Sequence, residues 1–188
     1  MPPMNRREAL KVSTVLLGGV LVTSAGVLAG CASERPEPRD ATSRVLSPDD
    51  QALVEEIADT ILPATPSSPG AKAAGAGAAI NLLLTDCRST DEQQRVVSGL
   101  QDFRSACRER CGGDFTALAP RERERFVRAI DAEARTAGET HYFGLVRDLA
   151  SQAYFSSEIG LTRALRYVRV PGRWEGCVPL APGQRAWG

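Results

Sequence analysis

Beyond residue 46, no run of four to eight residues sustains alternation of apolar and polar side chains. Apolar residues instead recur three and four positions apart, between recognisable helix start and stop signals. A sheet with one wet face needs period-two alternation, so this chain is predicted to be all-α. The expected architecture is a single compact domain of about six helices with an irregular C-terminal tail, preceded by a signal peptide and a tether. Its boundaries are 1–30 for the signal, 31–46 for the tether and 47–188 for the helical domain.

The first helix starts at Ser47-Pro48-Asp49-Asp50, where Ser47 is a cap, Pro48 suits the first turn and Asp50 holds the capping-box position. Leu53, Ile57 and Ile61 repeat at i, i+4, flanked by Val54, Ala58 and Leu62, and Pro63 ends the element. Pro63, Pro66 and Pro69 force an extended path, and Gly70 turns it into an alanine-rich helix ending in Ile80, Leu82, Leu83 and Leu84. Gly75 and Gly77 either let another backbone approach that helix or fray its start. Thr90-Asp91-Glu92-Gln93 reads as a second capping box. The apolar face that follows is Val96, Val97, Leu100 and Phe103, closed by Gly112-Gly113. A further helix begins near Pro120. Its Arg121-Glu122-Arg123-Glu124-Arg125 run reads as a solvated face, with Phe126, Val127 and Ile130 inward. Tyr142, Phe143, Val146, Leu149, Ala150 and Ala153 mark another helix, and a short one is expected over 160–168.

The leader is informative in a different way. Arg6-Arg7 precede Glu8-Ala9-Leu10-Lys11, a pattern that resembles the twin-arginine export signal with Ala9 in place of its Phe. An uncharged run over 12–30 then ends in Leu28-Ala29-Gly30-Cys31. That ending resembles a bacterial lipobox, with Cys31 as the lipidated first residue of the mature chain. A permanent membrane span is the competing reading of the run's length. Acyl chains at Cys31 would hold the chain at the periplasmic face of the cell envelope. Residues 32–46, rich in Pro, Arg, Glu and Ser, are then the tether.

The whole chain has 23 basic and 23 acidic side chains, which gives no sign of a nucleic-acid patch. Beyond Cys31, the exported compartment leaves Cys87, Cys107, Cys111 and Cys177 available for disulfides, in any of three full pairings. An intrachain bond is the favoured use of Cys177, with a bond to a partner as the alternative. Cys107 and Cys111 would share a helical face.

The search for chemistry yields little. There is no G-x-G-x-x-G after a strand, no phosphate loop and no G-x-S-x-G elbow. His141 is the sole histidine, which leaves a Cys/His zinc site poorly supported; a helix start or the core is its expected place. Glu158 is a lone carboxylate, and Asp148 makes no convincing acid pair with it. No catalytic, cofactor-binding or metal-binding residue is assigned. A leader suited to folded, cofactor-loaded cargo, on a chain without a recognisable cofactor site, implies that the cargo includes a folded partner.

Several pieces resemble subunit 3, the gamma or small subunit, of gluconate 2-dehydrogenase-type complexes. They are Ala58-Asp59-Thr60-Ile61-Leu62-Pro63; Thr65 with Pro69-Gly70-Ala71 and Gly75; Phe115 with Leu118 and Pro120; "YFGLVRDLASQAYFSSEIG" at 142–160; and "YVRVPGRWEGCVPL" at 167–180. The resemblance spans about residues 47–180. It implies a non-catalytic subunit accompanying a flavin-containing large subunit of the glucose-methanol-choline class, with FAD in that partner. It also implies a cytochrome c subunit in some complexes, and passage through the twin-arginine translocase. Candidate partner-interface residues are Tyr154, Phe155, Glu158, Tyr167, Trp174 and Cys177, with Trp187 and with Pro171 shaping the tail. Core packing is the alternative for Tyr154 and Phe155. The competing functions are a free-standing envelope lipoprotein that binds or scaffolds, and an enzyme using Glu158 or His141.

Overall fold

A computed structural model describes residues 44–170, 172, 177–179 and 181–187. The leader signals at Arg6, Arg7 and Cys31 therefore lie outside the described residues, as do Pro171 and Trp174. Five α-helices follow one another: α1 (Pro48–Ile61), α2 (Ala76–Cys87), α3 (Thr90–Cys111), α4 (Pro120–Ala137) and α5 (Tyr142–Phe155). Two isolated bridges, Thr65 with Ser68 and Arg166 with Trp187, are the only β-type pairing among the described residues. The all-α expectation holds. Where a sixth helix was expected over 160–168, a single π-helical turn covers Gly160–Ala164.

The helix ends follow from local chemistry. At α1, the Ser47 hydroxyl accepts from the Asp50 amide at 3.1 Å, as the Ser-Pro-Asp-Asp pattern requires. At α3 the capping box is shifted by one residue from the expected Thr90–Gln93. Ser89 is the cap, and Glu92 reaches back to the Ser89 amide at 2.9 Å. Gln93 is thereby free to close the preceding helix: its amide donates to the carbonyls of Leu84, Thr85 and Arg88 at 3.0–3.1 Å. The expected Gly112 stop holds, with φ 74°.

The two glycines of the alanine-rich segment have separate tasks. Gly75 sits one residue before α2 with φ 68°, a conformation that side chains disfavour. Gly77 lies inside α2 against α1, and a Cβ there would stand 2.8 Å from the Glu55 Cβ and 3.0 Å from the Gln51 carbonyl oxygen. Close backbone approach is thus the correct reading for Gly77, and a left-handed turn for Gly75.

Helix α5 touches each of the other four helices, so the core is arranged around it. Its buried side chains are Phe143, Val146, Leu149, Ala150, Ala153 and Tyr154. Phe103 of α3 is fully buried, with ring centroids of Phe126, Phe115 and Phe143 at 5.0, 5.1 and 6.4 Å. The body also takes in the last residues assigned to the tether. Leu46 is buried, and its amide and carbonyl both pair with the side chain of Asn81, at 3.0 and 3.1 Å. The Val45 amide donates to Thr85 Oγ1 at 3.2 Å. The buried Asn81 side chain thus satisfies its polar atoms with the Leu46 backbone and with Gln51 Oε1, at 2.9 Å, which seats residues 45 and 46 against the helices.

The Arg121–Arg125 run is solvated except at Arg123. Its guanidinium reaches Glu56 of α1 at 2.6 Å and the Leu118 carbonyl at 3.0 Å, and lies 5.7 Å from the centre of the Phe115 ring. Lys72 bonds the other oxygen of Glu56. The Lys72 hydrogen bond, then the charges of Lys72 and Arg123, hold the Glu56 carboxyl below its ordinary 4.5, against the opposing effect of burial. A depressed carboxyl stabilises the fold above its unfolded value, and that contribution disappears as pH falls through the folded value. Thermal melts of wild type and Glu56→Gln should accordingly differ at neutral pH and converge in acid. Parallel melting curves from pH 7 to pH 3 would contradict this placement of the charge.

Candidate functional site

Of the two residues singled out for chemistry, the fold uses the side chain of His141 and leaves that of Glu158 exposed. His141 caps α5, its Nδ1 accepting from the Phe143 amide at 3.2 Å while its ring stacks on Tyr142 with centroids 4.7 Å apart. This is the helix-start role expected for it. It lines a cleft with four arginines, Arg88, Arg95, Arg135 and Arg147, and three acids, Glu92, Glu139 and Asp148. Asp131, behind it, takes Arg135 and Arg147 at 2.8 and 2.7 Å. Glu158 is exposed on the turn after α5, where its backbone carbonyl accepts from Thr162. Among the described residues, no group of three or more His, Cys, Asp or Glu side chains is placed to hold a metal ion. No described helix is long and apolar enough to cross a membrane.

None of the four described cysteines is paired. Cys87, Cys107, Cys111 and Cys177 are all free thiols in this structure, Cys107 buried and the others exposed. Cys107 and Cys111 do share a face of α3, and burial, reinforced by Cys111, pushes the Cys107 thiol up to about 11. A neutral thiol in the core of a helix packs as a small apolar side chain.

The expected interface residues divide. Tyr154 is a core residue: its ring is buried and its hydroxyl bonds Ser68 Oγ at 2.6 Å and the Pro69 carbonyl at 2.8 Å. It fastens the proline-rich 63–70 segment to α5, and so cannot anchor a partner. Tyr154→Phe should cost about 1 kcal/mol, read by denaturant titration, because it removes two buried hydrogen bonds and leaves Ser68 Oγ and the Pro69 carbonyl only the 3.3 Å bond between them. An unchanged midpoint would show that the segment is held by other contacts. Phe155 turns outward at 38 % exposure, packed edge-on against Tyr154.

The remaining candidates fall in the segment after α5. Tyr167, Val168, Val170, Val178 and Trp187 are exposed apolar side chains there, and only Leu82 and Phe155 of the large apolar residues are exposed elsewhere among the described residues. The tail returns to the body at its far end. The Arg166 amide donates to the Ala186 carbonyl at 2.7 Å, and the Arg166 guanidinium lies 4.3 Å from the centre of the Trp187 ring. Arg185 donates to the carbonyls of Thr162 and Arg163 at 2.9 and 2.6 Å, the unsatisfied acceptors at the end of the π-turn. Residues 162–166 and 185–187 are thus held side by side. Sequence reasoning pointed to this segment through its aromatics but missed Arg166 and Arg185, whose partners lie about 20 residues away.

No curated protein and no solved structure matches this chain. The family model described as gluconate 2-dehydrogenase subunit 3 does match, over residues 48–172, which take in all five helices, the π-turn and the start of the exposed tail. This chain therefore belongs to the gluconate 2-dehydrogenase subunit 3 family.

Proposed function

We propose that this chain is the non-catalytic small subunit of a membrane-associated, FAD-dependent sugar or polyol dehydrogenase complex. It escorts a folded flavin subunit of the glucose-methanol-choline class through twin-arginine export and stabilises it afterwards. FAD belongs to that partner, a cytochrome c subunit carries electrons onward in complexes that have one, and acyl chains on Cys31 hold the assembly at the periplasmic face. The observation that carries this reading is the family match across the helical body. The geometry supports it in two ways. His141 has its Nδ1 committed to capping, and the tail presents apolar side chains that water solvates poorly. The leader's paired Arg6-Arg7 supports the export role.

Deleting the gene for this chain should leave the flavin subunit in the cytoplasm or degraded, as read by fractionation and immunoblotting. Replacing Arg6-Arg7 with Lys-Lys should have the same effect on both subunits. Normal export of an active flavin subunit without this chain would overturn the escort role.

A further inference from the structure

We draw no further inference here: the strongest candidate, the cleft between the α2–α3 turn, the end of α4 and the start of α5, holds the buried and unpartnered Nε of Arg88, but its four arginines meet as many carboxylates, Glu92, Glu139 and Asp148 in its lining and Asp131 beside Arg135 and Arg147, so nothing in the structure selects a ligand for it.

Discussion

Phe103→Ala should destabilise the domain by about 3–5 kcal/mol, the range for removing a fully buried aromatic side chain. From α3 the ring touches two other helices, α4 and α5, and Phe115 in the segment between α3 and α4. It sits 5.0 Å from Phe126 of α4, 5.1 Å from Phe115 and 6.4 Å from Phe143 of α5, edge-on to the first two and stacked on the third. The cavity is bordered by other rigid rings, which collapse poorly into empty space, so the cost should fall in the upper half of that range. Domains of this size have about 5–15 kcal/mol in total, and the melting temperature should drop by on the order of 10–15 °C. Phe103→Leu, which keeps most of the volume, should cost roughly half as much. A loss below about 1.5 kcal/mol for the alanine variant would mean that the four rings do not form one packed cluster.

Gly160→Ala should be comparably damaging for a different reason. A Cβ at residue 160 would stand 1.9 Å from the Tyr154 carbonyl oxygen, 2.8 Å from its carbon and 2.9 Å from the Phe155 Cα. All three are backbone atoms, so no side-chain rotation relieves the clash. Either the end of α5 or the π-turn must move, at about 3 kcal/mol or more. The displacement propagates outward, because Arg185 is bonded to the carbonyls of Thr162 and Arg163 in that same turn. Hydrogen exchange over 160–187 should therefore accelerate in the variant even where α1 to α4 keep their protection. The contacts that Arg185 makes with the turn should loosen with it. Unaltered exchange in the tail would show that the turn does not hold residues 185–187 in place.

The helical class and the approximate helix positions were legible because they rest on local rules. Ser47 followed by Pro48, Gly112 after α3, and i, i+4 repeats such as Leu53 and Ile57 act over a few residues, and each stands where expected. The same locality explains the one-residue error at α3. Ser89 and Thr90 can both cap, and what favours Ser89 is that Gln93 is needed to close α2 across the turn. The features that could not be read depend on distant partners. Tyr154 meets Ser68 and Pro69 about 85 residues away, Asn81 pairs with Leu46, and Arg123 reaches Glu56. No periodicity encodes such contacts, so Tyr154 passed as an interface candidate, Arg123 as a solvated charge, and Leu46 as tether. The tail was flagged by its aromatics alone. Its closure by Arg166, Arg185 and Trp187 became visible only once residues 160–166 and 185–187 lay side by side.

We propose that this helical chain contributes grip and passage across the membrane while the oxidation chemistry resides in a neighbour. Purification of the tagged full-length chain from membranes, followed by dissociation and an absorbance spectrum of each fraction, tests it most directly. The account predicts a stoichiometric complex in which flavin absorbance and sugar or polyol oxidation both follow the larger subunit, leaving this chain colourless and inactive. A solitary chain that is itself yellow, or that oxidises such substrates unaided, would contradict it.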